Sequence, residues 1–236
     1  MGGGTMPRTA RIVLPNYPHH IIQRGHNRQT VFATEDDCLY YLDNLAEFKQ
    51  AFNCKVYAFC LMTNHSHLVS DPCDQPDKLG KLMKRLAGRQ TRYVNRIEGR
   101  TGTLWEGRFR SSPIDSDEYL LACCRYVEMN PVMAGMCGDA AGYKWSSCST
   151  RLARDGCKWL DFDSLYLGLG KTQQERGEKY AEFLSGAIIE EEKLIILGAV
   201  QRGQLTGGGA FVDEIEQKLA RRVEFRGQGR PRKAGK

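Results

Sequence analysis

Residues 54–69 have the sequence CKVYAFCLMTNHSHLV. The part at 54–61 is rich in residues that favour strands, and it predicts a strand there. A short break at Thr63 and Asn64 leads into His-Ser-His-Leu-Val at 65–69, which predicts another strand. Because so short a connection suits strands that run in opposite directions, we expect the two to pair as an antiparallel hairpin.

The flanking segments extend this hairpin into a larger fold. They predict a strand at 19–24, helices at 36–52 and 78–98, and a loop or strand at 103–113. A further helix is expected to begin at Ser116, a good N-cap, and to stop near Asn130 because Pro131 follows. The order β-α-β-β-α favours an α+β fold, a ferredoxin- or RRM-like antiparallel sheet with helices on one face.

The chain divides by pattern into three parts. We expect an N-terminal extension over 1–17, a main domain over 18–150, and a mostly helical C-terminal appendage over 151–236. Helical patterns at 173–200 and 210–222 and a basic end mark the appendage, which we interpret as an accessory DNA-binding region.

Composition excludes several classes of protein. Of the 236 residues, 41% are hydrophobic and 26% are charged, which is ordinary for a globular protein and argues against wholesale disorder. No apolar run reaches the length that a membrane span requires. The nine cysteines are odd in number and form no C-x-x-C pair, which indicates a reducing compartment. We therefore expect a cytoplasmic protein with no membrane partner.

Positive charge is concentrated in two blocks. The formal net charge is +6, and residues 221–236 alone hold seven basic side chains and one acidic one. Residues 78–110 hold ten basic side chains and two acidic ones. Such blocks in an otherwise balanced chain indicate a polyanionic partner, although solvated basic faces remain an alternative.

The predicted helix at 78–98 carries one of these blocks as a stripe. An apolar stripe on the same helix is expected to pack on the sheet. The cations that follow the helical period are Lys81, Lys84, Arg85, Arg89, Arg92 and Arg96. They would follow a nucleic-acid backbone, or they would simply keep an amphipathic helix soluble.

His65 and His67 form a His-x-His pair on a predicted strand. Residues at i and i+2 lie on one face of a strand, about 7 Å apart along the backbone, so both imidazoles can converge on one divalent metal ion. Ser66 then points to the other face. Taken alone, such a pair is more often structural or exposed than metal-binding. Its place on a predicted central strand, where a polar side chain is costly to bury, favours a functional role.

Tyr126 and Asn130 are four residues apart on the predicted third helix. They therefore lie approximately on one helical face. Tyr119 lies one heptad earlier on the same face, and nothing in the pattern alone selects Tyr126 over it.

Five ordered blocks of sequence resemble one known family. The blocks are HIIQRGHNR at 20–28, LMTNHSHL at 61–68, GTLWEGRF at 102–109, YVEMNPV at 126–132 and WSS at 145–147. In these blocks the chain resembles the REP-associated tyrosine transposases, which are single-tyrosine HUH transposases related to the transposases of the smallest insertion sequences. The resemblance covers more than half of the chain and also implies a bacterial, nucleoid-associated protein.

The resemblance implies a role for four residues. His65 and His67 match the histidines that bind a divalent metal, Mg²⁺ or Mn²⁺, and Asn130 matches a polar residue that helps to hold it. Tyr126 matches the nucleophile. The middle residue of the histidine motif is usually a bulky hydrophobe in this family, and here it is Ser66.

The resemblance also implies a DNA partner in the form of short palindromic hairpins. Trp105 is a candidate for stacking on bases, although a tryptophan here is more often a core residue, and Arg108 and Arg110 are candidates for holding phosphates or a base edge. Near the C-terminus, Arg230, Arg232 and Lys233 lie in a segment similar to an AT-hook core, which binds the minor groove. A basic tail with nonspecific affinity would have the same composition.

The resulting hypothesis is a metal-dependent endonuclease and strand transferase that acts on single-stranded or hairpin DNA through a 5′-phosphotyrosine intermediate. The alternative is a domesticated, catalytically silent protein that only binds hairpins. A third reading, metal-dependent hydrolysis of another phosphate ester, would leave no covalent link to the protein. The sequence leaves open whether the chain acts as a monomer or a homodimer.

Overall fold

The computed structural model describes residues 11–154, 156–186 and 190–223. The strands in these ranges are β1 (His19–Arg24), β2 (Lys55–Met62), β3 (His65–Asp71) and β4 (Arg110–Pro113). The helices are α1 (Glu35–Ala51), α2 (Asp77–Ile97), α3 (Leu120–Met133), α4 (Cys148–Arg151), α5 (Ser164–Gly168), α6 (Gln173–Ser185), α7 (Glu190–Arg202) and α8 (Gly209–Leu219). None of these helices combines the length and hydropathy needed to cross a membrane.

The strands form one antiparallel sheet in the order β2-β3-β1-β4. The predicted hairpin is its first pair, with Met62 opposite His65 across the turn. The antiparallel sheet and the α+β class are confirmed. The strand order is the one that a β-α-β-β-α-β chain produces when its two halves interleave, as in ferredoxin-like folds.

Helices α1 and α2 lie on one face of the sheet, as predicted, and α3 adds a cover on the other face. On one face, α1 and α2 pack against Ile21, Phe59 and Leu68 in the larger core. On the other face, α3 packs against alternate residues of the same strands, including Cys60 and Val69. Both faces of the central strands carry apolar side chains that must be shielded from water. Helix α3 shields the second face.

Helix α1 begins with a capping box. Thr34 accepts a hydrogen bond from the backbone of Asp37, and the Asp37 carboxylate accepts one from the backbone N–H of Thr34. Three acidic residues lie in the first turn, where the helix dipole favours them. This places α1 within one residue of its predicted bounds.

Helix α3 differs from its predicted bounds at both ends. It begins at Leu120 rather than at Ser116, and it continues through Pro131 to Met133. Pro131 lacks the N–H that would bind the carbonyl of Val127. The side-chain amide of Asn130 donates to that carbonyl at 3.4 Å and to the carbonyl of Tyr126 at 2.7 Å. This substitute hydrogen bonding lets the helix pass through the proline.

The region after residue 150 packs on the main domain through a buried charge network. Arg151 is fully buried and lies 3.4 Å from Glu128 of α3 and 3.2 Å from Asp163. Glu128 also accepts hydrogen bonds from Ser147 at 2.5 Å and from Tyr180 at 2.8 Å. The predicted division after residue 150 therefore passes through a set of interacting side chains.

Candidate active site

His65 and His67 project from β3 on the face that α3 covers. Their ring centroids are 4.9 Å apart at an interplanar angle of 65°. Ser66 points to the opposite face, where its hydroxyl lies 3.3 Å from the hydroxyl of Tyr41 on α1. The alternation expected of a strand thus separates the two histidines from the serine between them.

Each of the two histidines has a hydrogen-bond partner at Nδ1. His65 donates from Nδ1 to the side-chain oxygen of Asn64 at 2.6 Å. His67 Nδ1 lies 3.0 Å from Nε2 of His20, a buried residue of β1. No hydrogen bond from another described residue occupies either Nε2. This arrangement is common in metal-binding histidines, in which one ring nitrogen is hydrogen-bonded and the other is left for the metal.

Burial keeps both imidazoles neutral. It lowers the pKa of His65 to about 4, with the nearby Arg24 guanidinium acting in the same direction. The pKa of His67 lies well below its usual value, chiefly because of burial and also because of His20 and His65. Only the neutral imidazole offers a lone pair to a metal ion, so both side chains are suited to ligation at neutral pH.

Tyr126 reaches the same place from α3. Its ring centroid lies 6.2 Å from that of His67 and 5.7 Å from that of His20, in edge-to-face contact with both. The side chain is 6% exposed and still lines the cleft beside the histidines. Burial raises the pKa of the phenol, so Tyr126 is a neutral hydroxyl until a reaction removes its proton. Tyr119 lies at the start of the helix and does not line the cleft.

Asn130 lines the cleft one helical turn after Tyr126. Its amide nitrogen is occupied by the backbone of α3, which fixes the amide and leaves the side-chain oxygen for another partner. Within the described residues, no group of three or more His, Cys, Asp or Glu side chains could hold a metal. The available donors are two imidazoles and one amide oxygen, a partial set that fits an ion whose remaining ligands are water or substrate phosphate.

The cleft has a volume of about 650 Å³ and a strongly basic lining. Its arginines are Arg11, Arg24, Arg108, Arg110 and Arg202. Arg24 lies directly opposite His65 in the β1–β3 register, on the same face of the sheet. The segment that carries Arg108 runs past the end of β1, where Glu106 donates its backbone N–H to the carbonyl of Arg24. Exposed guanidinium groups so close to the histidines favour an anionic ligand.

Helix α7 forms one wall of this cleft. Leu197 and Gln201 line it, and the carbonyl of Gln201 accepts a hydrogen bond from Arg110 at 3.2 Å. Ile196 is buried in the apolar cluster that contains Tyr126. The C-terminal region therefore contributes directly to the surroundings of Tyr126.

Apart from Trp105, the structure separates the predicted site residues into three groups. His65, His67, Tyr126 and Asn130 line the cleft, together with Arg108 and Arg110. The basic stripe lies on α2, which packs on the opposite face of the sheet. None of its members lines the cleft, and within the stripe Lys81 pairs with Asp77 and Arg89 with Glu47. Arg230, Arg232 and Lys233 lie outside the described residues.

Trp105 is a core residue, so the expectation that it stacks on bases is wrong. The side chain is 5% exposed, and its indole N–H donates to the carbonyl of Ala87 on α2 at 3.1 Å. The apolar bulk and the single donor of the indole are both satisfied inside the protein.

The sequence pattern alone does not indicate several residues of the site, among them Arg202 of α7. His20 and Arg24 are separated by an even number of residues along β1, so both face the same side of the sheet as His67. This spacing becomes informative only when the pairing of β1 with β3 is known. Arg11 lies before β1, and its guanidinium stacks on Phe109 at 4.0 Å from the ring centroid. No local pattern marks Arg11, because its neighbours in the cleft are distant in sequence.

Comparisons with known proteins give a family match and several similar solved structures. A family model described as IS200-like transposase matches residues 14–130, a range that contains both histidines, Tyr126 and Asn130. No curated protein sequence matches the chain significantly.

Several solved structures are similar to the chain, two transposases among them. One is a REP-associated tyrosine transposase bound to a REP hairpin, with 15% identity and a TM-score of 0.54 over 67% of this chain and 96% of that one. The other is a putative transposase from Deinococcus radiodurans, with 19% identity and a TM-score of 0.37 over 50% of this chain and 90% of that one. Because its identity to this chain is only 15%, the first structure supports the fold of the chain and not its function.

Proposed function

Because residues 14–130 match the IS200-like transposase family, we propose that the chain cleaves and rejoins single-stranded DNA at palindromic hairpin repeats, with Tyr126 as the nucleophile. The observation that carries this proposal is the position of Tyr126 beside His67 in a cleft lined with arginines. The hairpin substrate is suggested by the similar transposase that is bound to a REP hairpin.

In the proposed reaction, the Tyr126 oxygen forms a bond to the scissile phosphorus. The bond from phosphorus to the 3′ oxygen breaks, and the phenol proton is lost as the 3′ oxygen gains one. The products are a 5′-phosphotyrosine and a free 3′-hydroxyl. Since one phosphodiester replaces another, a 3′-hydroxyl can reverse the step, and joining requires no nucleotide cofactor.

The side chains of the cleft have distinct tasks in this step. Arg24 and Arg108 would bind the phosphate, and the buried surroundings of Tyr126 would hold its oxygen in one orientation. His65, His67 and Asn130 would hold a divalent ion, Mg²⁺ or Mn²⁺, which when bound supplies Lewis-acid polarisation of the phosphate. A cytoplasmic, nucleoid-associated location and the role of the basic tail stay predictions.

A domesticated protein that only binds hairpins was suggested by Ser66 in the histidine motif. Ser66 points away from the cleft and is hydrogen-bonded to Tyr41. It therefore gives no specific reason to prefer the silent alternative.

The test uses an end-labelled hairpin oligonucleotide with unpaired flanks, incubated with the full chain and Mn²⁺ or Mg²⁺. We expect label to move to the mass of the protein on a denaturing gel, and EDTA or Tyr126→Phe to prevent this. Tyr119→Phe is the matched control, since it removes a hydroxyl from the same helix outside the cleft, and it should form the adduct normally.

Two other outcomes would reject the proposal. A hairpin that binds equally to wild type and Tyr126→Phe without any adduct would indicate the silent binder. Cleavage that releases both products and survives Tyr126→Phe would indicate metal-dependent hydrolysis.

A further inference from the structure

His20 is buried directly behind a proposed metal ligand. It is 0% exposed on β1, its Nε2 lies 3.0 Å from Nδ1 of His67, and the two rings are nearly parallel at 19°. Its ring also meets that of Tyr126 edge to face. His20 thus touches both the proposed ligand and the proposed nucleophile.

The hydrogen bond between the two imidazoles needs a proton on one side only. Both rings are buried, and a buried imidazole is more stable in its neutral form than in its charged form. A neutral imidazole carries one N–H. If His67 donates from Nδ1, its Nε2 lone pair faces the cleft; if His20 donates from Nε2, the proton of His67 is on Nε2 and blocks ligation.

His20 is a costly residue for a purely structural position. Its Nδ1 is buried and has no hydrogen-bond partner among the described residues. An unsatisfied buried polar atom is unfavourable, whereas an apolar side chain would fill the same space without it. A hydrogen bond to Nδ1 of His67 is what an apolar residue could not supply here.

We propose that His20 is a positioning residue that accepts the Nδ1 proton of His67 and so directs the Nε2 lone pair of His67 into the cleft. The inference rests on the proposed function in one respect, since the ligand of that lone pair is the proposed divalent ion. The tautomer itself is a property of the metal-free protein and can be measured independently.

The experiment compares wild type, His20→Leu and His20→Gln. Leucine fills the space without an acceptor, and the glutamine side-chain oxygen can take the place of Nε2. Nitrogen NMR of ring-labelled histidines in the metal-free full chain gives the tautomer of His67, assigned with a His67→Gln spectrum. Binding of Mn²⁺, followed by electron paramagnetic resonance of the free ion, gives the affinity.

We expect His67 to carry its proton on Nδ1 in wild type and in His20→Gln, and to lose this preference in His20→Leu. We expect Mn²⁺ affinity to fall by about 10- to 100-fold in His20→Leu and to recover largely in His20→Gln. Unchanged thermal unfolding and hairpin binding in EDTA would show that the leucine variant is folded.

Other results would overturn one proposal or the other. If wild-type His67 carries its proton on Nε2, or if His20→Leu changes neither tautomer nor affinity, His20 is not the positioning residue. If wild type binds no Mn²⁺, the metal part of the proposed function fails, and the NMR result alone decides the role of His20. If His20→Leu does not fold, the tautomers of wild type and His20→Gln decide it.

Discussion

The phenol ring of Tyr126 lies 6.2 Å from the imidazole ring of His67, centroid to centroid, and both belong to the same chain. Tyr126 comes from α3 and His67 from β3, elements that pack directly on each other. One chain therefore contains the proposed nucleophile and the proposed ligands of its metal in one cleft, without an α3 helix from a second copy.

A mixing experiment tests whether the site functions within one chain. Tyr126→Phe and His65→Ala should each form no DNA adduct, and an equimolar mixture should form none above the background of either variant. Wild type diluted with an equal amount of Tyr126→Phe is the control and should keep its activity. Recovery of the adduct in the mixture would mean that two chains exchange α3.

The sequence predicts those parts of the site that depend on local periodicity. The strand spacing places His65 and His67 on one face and Ser66 on the other, as the structure confirms. The contact between His20 and His67 depends on the register of β1 against β3, which a single sequence does not specify. Local pattern likewise gives the helix after Ser116 but not its path through Pro131, because the compensating hydrogen bonds come from a side chain.

Some features of the core follow from local sequence, and others depend on contacts between segments that are far apart in the chain. The hairpin of β2 and β3 follows from its composition and short turn. The sequence offered an interior position for Trp105 as one alternative but could not select it, because its partner is the carbonyl of Ala87 on α2, 18 residues earlier. The packing of α3 on the second face also rests on contacts between elements that are far apart in the chain.

The side chain of Ser66 is hydrogen-bonded to Tyr41 and does not face the proposed metal site. Replacing it with the hydrophobe typical of the family, Ser66→Val, leaves the buried Tyr41 hydroxyl without its partner. We expect a loss of about 1–3 kcal/mol in the free energy of unfolding, measured by urea denaturation. The double variant Tyr41→Phe/Ser66→Val should recover most of it, and Mn²⁺ affinity should stay unchanged. A more stable single variant would contradict the pairing.

His19 should make the protein sensitive to acid. Its Nε2 accepts a hydrogen bond from the backbone of Leu14 at 3.1 Å, and burial lowers its pKa to about 4. Below the unfolded value of about 6.5, the unfolded chain binds a proton that the folded chain does not bind until about pH 4. The stability due to the neutral ring is therefore present at neutral pH and decreases as the pH falls through this window.

The measurement is urea unfolding at pH 7 and pH 5. His19 alone should lower the free energy of unfolding by about 2 kcal/mol between these values, since each pH unit corresponds to about 1.4 kcal/mol. His19→Gln should show a correspondingly smaller decrease than wild type. An equal decrease in both proteins would exclude His19 as a source of the acid sensitivity.

Truncation after residue 150 should destabilise the main domain. It removes Arg151, Asp163 and Tyr180, and leaves the buried carboxylate of Glu128 with only Ser147 as a partner from this network. Breaking a buried ion pair by removing one partner costs about 3–5 kcal/mol, which approaches the whole stability of a small domain. We expect residues 1–150 to unfold at a much lower urea concentration than residues 1–223, and equal midpoints would show that the network is dispensable.

The two basic surfaces lie on opposite faces of the sheet, so their contributions to DNA binding can be separated. Arg24 lines the cleft beside His65, whereas Lys84 and Arg92 are exposed on α2 beyond the other face. If Arg24 binds a phosphate near the scissile bond, Arg24→Ala should reduce both the rate of adduct formation at saturating DNA and the salt dependence of hairpin binding. Each lost phosphate contact lowers the slope of log K against log salt by about 0.9 for duplex and about 0.7 for single strands.

Lys84→Ala/Arg92→Ala serves as the comparison and should leave the rate at saturating DNA unchanged, with any effect confined to affinity. The reverse pattern, a slow reaction in the α2 variant and a normal one in Arg24→Ala, would move the scissile phosphate away from the cleft.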